Sequence, residues 1–439
     1  MTAEMINPAA TTAAPSERRT FARRQITAAV FGVLGLVLVA LVAPNIDGAT
    51  RRFTFEPPPD PAGVAFDPPT LVGVIGVLFV AAAVLAFLGA RFDRIAGWAQ
   101  ALSAAACIPL VLALALALSE RSTETNVTNL LVQSLVLATP IALGAMTGLW
   151  CEHSGIVNIG IEGMMLTSAG VGFMTYAVLG DATNATWLWV SVLVAILTGG
   201  VLGALHAWLT VTFRVNQIIS GVVINLFALG LTGFLRSEVI IKQGITTGQP
   251  LERIGIPLLD KIPVIGSQLF NEQPIFYLSF FVVFATWLVM YRTPWGLRVR
   301  ASGENPHAAE TLGVNVITIR YQAVILGGMI SGLAGAWFAL EAQGGFEDNM
   351  TNGVGFIALA AMIFGKWRPG PAFAGAVLFG FTRALGSRMQ ILNVEIAGFV
   401  VPSNFWQMFP YVATLVVVAG AVGRAVAPAA EGTPYERSR

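Results

Sequence analysis

The chain has 439 residues, 55% of them hydrophobic and 11% charged, with a net charge of +1. Soluble domains carry about 25% charged residues, so this composition excludes an ordinary water-soluble fold and points to the bilayer. The scattered basic residues leave no footprint for nucleic acid, and two cysteines, Cys107 and Cys151, are too few for a disulfide framework and read as free thiols.

Residues 1–20 are rich in Ala, Thr and Pro and read as a disordered cytoplasmic tail. Arg18, Arg19, Arg23 and Arg24 precede an apolar stretch, residues 26–43. It exceeds the roughly 7–15 residues of a signal-peptide core, so it reads as an uncleaved first span. Residues 44–69 hold Pro57, Pro58, Pro59, Pro61, Pro68 and Pro69, which forbid a continuous helix and mark an extended outer loop. A helix needs about 20 apolar residues to cross the hydrocarbon. By that measure further spans read as residues 70–90, 97–118, 130–150, 161–179, 187–213, 217–235, 274–291, 321–340 and 405–425, with shorter pieces at 354–364 and 371–385. The expectation is an all-α integral membrane protein with about 10–12 transmembrane helices, some interrupted, over residues 21–425.

Short cytoplasmic loops retain Lys and Arg during insertion. With the amino terminus inside, the cytoplasmic ends collect Arg91, Arg94, Arg214, Arg292, Arg298, Arg300, Arg320, Lys366, Arg368 and Arg424, while loops 44–69 and 236–273 fall outside with many of the acids. Residues 426–439 then form a cytoplasmic tail. Arg383 and Arg388 fall on the wrong side in this count, which leaves the topology around 364–385 open.

Three segments stand out. Residues 147–163 interrupt two apolar helices with four glycines and several polar groups. Non-helical backbone at membrane depth is tolerated only where protein or a water-filled cavity covers it, so the break can line a pathway with Asn158 and Glu162 at hand. The alternative is a cytoplasmic turn in which Ser154 and Glu152 cap helix ends. Next, Asn216, Gln217, Ser220 and Asn225 enter an apolar helix largely on one face, either to meet a neutral polar solute or to bond neighbouring helices. His206 reads as a helix-contact residue.

The third segment is the loop 292–320, basic and long for a connection between spans. Asn305 can cap a small helix, Pro306 suits its first turn and Gly313 supplies a stop. That leaves about two turns, too short to cross a bilayer. Ala308, Ala309 and Leu312 can share one face, with His307 and Glu310 on others, in the manner of a helix that seats in a groove of a motor protein. Gly199/Gly203 and Gly328/Gly332 have the spacing that lets helix backbones approach closely.

Catalytic patterns are missing. Gly365-Lys366 is followed by Trp367 and position 360 is Ala, so the phosphate-binding loop pattern fails and the chain has no ATPase motif of its own.

The run from Glu152 to Met165, Glu-His-Ser-Gly-Ile-Val-Asn-Ile-Gly-Ile-Glu-Gly-Met-Met, resembles the signature of ABC-importer membrane permeases for branched-chain amino acids, simple sugars and nucleosides. Residues 216–225, 296–301 with 303–306, 355–360 and 363–367 resemble the nucleoside-type branch. The resemblance implies a bacterial plasma-membrane permease subunit that forms a nucleoside path. Its implied partners are a second permease, a cytoplasmic ATPase with tandem nucleotide-binding domains and an extracytoplasmic substrate-binding lipoprotein. ATP and Mg would sit on the ATPase and no cofactor on this chain. The coupling contact then falls on Gly303, Glu304, Asn305, Pro306, His307 and Glu310, and Trp150, Phe227 and Phe356 become candidates to meet a base. A sugar or amino-acid permease of the same family, or an ATP-independent carrier, are the alternatives. Both the amino-terminal tail and the Pro-rich loop are longer than the family pattern.

Overall fold

The computed structural model describes residues 28–56, 63–87, isolated positions and short pieces between 95 and 117, 124–179, 185–242, 244, 248–392, 395–396, 399–411 and 425–437. The tail 1–20, Cys107, half of the predicted span 97–118 and most of the predicted span 405–425 lie outside the described residues. Two units are distinguished: Met1–Val127 with Met389–Ser403, and Thr128–Arg388 with Asn404–Arg439.

In the first unit, helix α1 (Ala28–Asn45) ends in a π-helical and then a 3₁₀ turn, and α2 (Pro68–Phe87) packs on it. The two meet through Gly35 and Gly76, where a Cβ on Gly76 would lie 2.8 Å from Val39 Cγ2. Leu38, Val72, Ile75 and Phe79 fill the contact. Residues 44–69 are not simply a loop: β1 (Arg51–Thr54) pairs antiparallel with β2 (Gly63–Phe66), Arg51 opposite Phe66. Strand β1 also runs parallel to β3 (Glu124–Asn126), giving the order β2-β1-β3. Pro57, Pro58, Pro59 and Pro61 lie outside the described residues, and Arg51 is anchored by its Nε to the Leu116 carbonyl at 3.1 Å.

The second unit holds the helices that carry the functional segments. They are α3 (Val127–His153), α4 (Ile161–Leu179), α5 (Ala185–Ala207 with a π turn Trp208–Thr212), α6 (Gln217–Leu235 with a π turn Arg236–Ile241) and α7 (Pro274–Arg292). The short helices α8 (Pro294–Glu304) and α9 (Pro306–Thr311) follow, then α10 (Val316–Ala336 with a π turn Trp337–Ala342), α11 (Val354–Phe364) and α12 (Pro369–Leu392). Among the described residues, seven helices, α1, α2, α3, α5, α6, α7 and α10, are long and apolar enough to cross a membrane. Helix α4 is outside that set because Glu162 and its Ser, Thr and Gly residues dilute it, yet most of it is buried.

The glycine spacing finds its partner. A Cβ on Gly203 would stand 2.7 Å from the Val324 carbonyl, and Gly199 faces the backbone of Gly328 and Gly332, so α5 and α10 touch backbone to backbone. Helix α10 begins at Val316 rather than 321, because Asn315 Oδ1 accepts from Thr318 N at 3.1 Å and so caps it there. Residues 371–385 are the middle of the longer, uninterrupted α12. Arg383 and Arg388 therefore belong to one helix and not to a loop.

Candidate functional site

Residues 154–160 form a non-helical break between α3 and α4. Ser154 Oγ donates to the Cys151 carbonyl at 2.6 Å and ends α3. Gly155 then takes φ of +91°, a conformation that favours glycine, and a Cβ there would come within 2.7 Å of Arg320 Nη2. Glu152 does not cap its own helix; its Oε2 accepts from Trp367 Nε1 at 2.6 Å.

The exposed backbone of the break is satisfied mainly by α6. Asn216 Oδ1 caps that helix through Ile218 N and Ile219 N. Gln217 Oε1 accepts from Val157 N at 2.6 Å. Asn225 accepts from Gly163 N at 2.7 Å and donates to the Ile159 carbonyl at 3.0 Å. Ser220 hydrogen-bonds His206 Nδ1 at 2.9 Å, and His206 Nε2 reaches the Val157 carbonyl at 3.0 Å, fixing one proton between the imidazole and that acceptor. Buried amides and one imidazole thus replace water around irregular backbone. Among the described residues of the break and α6, two buried side-chain atoms stay without a hydrogen-bond partner, Asn158 Oδ1 and Gln217 Nε2, an acceptor and a donor on fully or nearly fully buried side chains. Asn158 Nδ2 meets only the sulfurs of Cys151 and Met164.

Glu162 is a tie rather than a free carboxylate. Its oxygens accept from Thr351 Oγ1 at 2.6 Å, Gly353 N at 2.8 Å and Gly355 N at 2.6 Å, closing the amino-terminal end of α11. The structure therefore gathers Asn158, Glu162, Gln217, Ser220 and Asn225 around the break. The aromatic candidates do not join them. Trp150 donates to Thr286 Oγ1 on α7 and packs against Trp295, and the Phe227 and Phe356 rings are exposed on α6 and α11.

Two ionisable groups take places that the span pattern does not assign: Glu341, which is buried, and Arg383, which is half-buried. Glu341, buried in the π turn after α10, accepts from Ile275 N at 2.6 Å and Phe276 N at 3.0 Å and caps α7. An acid so near the end of an apolar run, with Pro274 opening another, was the available signal. Arg383 on α12 lies within electrostatic reach of Glu162 and Tyr411, and its Nη1 has no hydrogen-bond partner.

In the loop 292–320 the cap, proline and stop sit as their spacing predicts. Asn305 Oδ1 accepts from Ala308 N at 3.0 Å, Pro306 opens α9, and Gly313 takes φ of +81°. The preceding residues are a separate helix, α8, capped by Thr293 Oγ1 accepting from Gly296 N at 3.1 Å. The expected apolar face of α9 is narrower than its pattern: Ala309 is buried, Ala308 exposed, and Leu312 stands 84% exposed. Gly303 is buried against the His153 carbonyl carbon, and Ser302 Oγ donates to the Ser154 carbonyl at 3.0 Å. The end of α8 is thus seated directly on the break, while Glu304, Asn305 and His307 face outward.

Seven helices long and apolar enough to cross a membrane, with irregular backbone buried between two of the helices, define the class: a multi-pass membrane protein. The family described as branched-chain amino acid transport system / permease component matches residues 130–424, and the chain belongs to it. Among its relatives is the guanosine ABC transporter permease protein NupQ of Bacillus subtilis (strain 168), 37% identical over 313 residues, which cover 70% of this chain and 96% of that protein. The nucleoside ABC transporter permease protein NupC of Lactococcus lactis subsp. cremoris (strain MG1363) is 38% identical over 325 residues, covering 72% of this chain and 100% of the relative. A putative glucose ABC transporter permease protein, TsgC13 of Haloferax volcanii, is 36% identical over 313 residues, covering 67% and 92%.

Proposed function

We propose that this chain is the membrane-spanning permease subunit of an ATP-driven importer and forms a path for nucleosides. The observation that carries the reading is near-complete coverage of permeases named for guanosine and nucleosides at 37–38% identity. The partners are a second permease, a cytoplasmic ATPase that holds ATP and Mg, and an extracytoplasmic binding lipoprotein. The setting is a bacterial plasma membrane with both termini on the cytoplasmic side. Around the break, neutral amides predominate, and Asn158 and Gln217 retain one acceptor and one donor, a complement suited to an uncharged polar solute.

The path works by alternating access. The ATPase moves α8 and α9 through the outward groups Glu304, Asn305 and His307. Ser302 and Gly303 rest on residues 153–154, so that movement arrives at the break without an intervening element. The break then re-forms its amide contacts with α6 in the other opening.

Uptake of radiolabelled guanosine or uridine by vesicles holding the assembled complex, with and without internal ATP, tests the reading. ATP-dependent uptake supports it; uptake that ignores ATP overturns the importer mechanism. The relative named for glucose supports a second reading, a sugar permease, for which labelled glucose would enter and nucleosides would not compete. Replacing Glu304 and Asn305 together is expected to abolish transport; unchanged transport and ATPase stimulation would remove them from the coupling contact.

A further inference from the structure

The sequence alone predicts a cytoplasmic tail over residues 426–439, and the family match ends at residue 424. Residues 428–437 instead lie along the coupling loop as a strap. Ala430 N donates to the Gly303 carbonyl at 2.8 Å, Ala429 N to Glu304 Oε2 at 3.3 Å, and Gly432 N to the Gly155 carbonyl at 3.2 Å. Tyr435 is buried with Ala309 and Val316, its ring lies 5.4 Å from that of His307 at a tilt of 50°, and its hydroxyl hydrogen-bonds Glu310. Burial and that carboxylate push the phenol up to about 12, so it stays a donor. Arg437 pairs with Glu310 at 3.3 Å and Glu436 with Arg214 in the turn before α6.

Which of these contacts hold the strap follows from exposure. The two ion pairs involve well-exposed partners and contribute little. Arg320 decides the matter. It is 1% exposed, its Nε and Nη2 have no hydrogen-bond partner, and among the described residues its hydrogen bond goes to the Thr433 carbonyl at 3.3 Å, with the Tyr435 ring 5.7 Å from its guanidinium carbon. A buried cation left without any partner is strongly unfavourable. Arg320 therefore holds the strap, and the strap covers Arg320.

The strap touches the elements that have to move together. Gly303, Glu304 and Glu310 belong to α8 and α9, Gly155 to the break, Arg320 to the first turns of α10, and Arg214 to the turn that opens α6. We propose that residues 428–437 tie the coupling helices to the break, carrying displacement of α8 and α9 into the path and completing, beside Leu312 and His307, the surface on which the ATPase acts. This rests on the proposed importer mechanism for its transport consequence, but the tie itself is a property of the chain.

The test is deletion of everything after Ala427 in the assembled complex, with Tyr435→Ala as the milder variant in case the deletion does not fold. Two readouts are taken. The first is amide hydrogen exchange over residues 154–160 and 303–313, which does not depend on substrate or ATP. The second is substrate moved per ATP hydrolysed in proteoliposomes. Removal of the strap is expected to speed exchange in both segments at least ten-fold and to lower transport per ATP at least ten-fold, with ATP hydrolysis continuing. Tyr435→Ala is expected to move both readouts the same way by a smaller factor. Unchanged exchange at 154–160 would overturn the tie whatever the substrate proves to be, and a rise in transport on deletion would make the strap a brake and overturn it equally. If the wild-type complex moves no nucleoside, the importer reading fails, while the exchange measurement still decides the tie.

Discussion

Helices α3 and α6 are similarly apolar, with mean hydropathy of 1.8 and 2.1 over their best windows, yet 72% of the α3 window is buried and only 28% of that of α6. The same holds for α10 and α7, of equal mean hydropathy, 78% and 33% buried. Hydropathy therefore decides that a helix enters the membrane and says little about which neighbours it meets there. What separates the two sets is side-chain size and placement of polar groups. Buried α10 carries Gly327, Gly328, Ser331, Gly332 and Gly335 where α5, α4 and α3 approach. Helix α6 exposes Ile218, Ile219, Val222, Val223, Leu226 and Phe227 and buries chiefly the edge with Gln217, Ser220, Gly221 and Ile224. That exposed face suits lipid or a partner chain.

The comparison breaks most severely at the α5–α10 seam. Gly199→Leu places a side chain where backbone stands against backbone; with no flexible neighbour to yield, a loss of about 3 kcal/mol or more is expected. Thermal unfolding in detergent should show little or no native transition. Glu162→Gln comes next. Gln offers one accepting oxygen where Glu162 uses both, so one or more of the donors from Thr351, Gly353 and Gly355 is left unpaired. The expected cost is about 1.5–3 kcal/mol, with ATP-dependent uptake lost; a variant as stable and active as the parent would show that α11 does not depend on this cap.

The long apolar runs, the Asn305–Pro306–Gly313 punctuation and the paired glycines were legible because each expresses a local rule: span length, cap chemistry, and i, i+4 spacing. The helical period put Gln217, Ser220 and Asn225 near one face, but nothing local says that this face meets the backbone of residues 157–163. Ala308, Ala309 and Leu312 read as one face for a partner to grip, whereas Ala309 turns inward, because six residues leave the rotation of so short a helix undetermined by period alone. The strand pairing of 51–54 with 63–66 and 124–126 and the docking of 428–437 are long-range: the strands and the contacts at Gly155 and Gly303 use backbone groups that every sequence possesses, and the contact at Arg320 uses a side chain whose partner lies 113 residues away. For the pathway, the sequence located the broken segment and its polar neighbours; it could not distinguish side chains spent on packing, such as Asn225, from those with unused capacity, such as Asn158.

A smaller effect is expected where the buried and exposed regions meet, at Glu431. Burial raises its pKa, partly offset by a hydrogen bond with the Glu152 carboxyl group, and a hydrogen bond between two carboxyl groups requires a proton on one of them. A raised pKa in the docked strap means that its contribution is fully present below the ordinary value of 4.5 and fades as pH rises through the raised value. Protection of the strap amides against hydrogen exchange, corrected for the intrinsic pH dependence, should be greater at acid pH than at alkaline pH. Glu431→Gln should flatten that dependence; a pH response that survives the substitution would move its origin to another group.

The smallest effect is expected on the exposed side of α6, and it sharpens the contrast with Gly199. Gly230 also lies within an apolar membrane helix, but a Cβ built on it meets nothing within 4 Å. Gly230→Ala therefore adds no clash and removes backbone freedom that the unfolded chain otherwise enjoys, which favours the folded state by about 0.5–1 kcal/mol. Thermal unfolding of the isolated chain should rise slightly, against the collapse expected for Gly199→Leu on the buried seam. If Gly230→Ala is neutral or stabilising in the isolated chain but weakens assembly with the proposed second permease, the open space beside Gly230 is where such a subunit packs. If it destabilises the isolated chain, α6 is packed from within on this side and the division between the two sets of helices fails at this position.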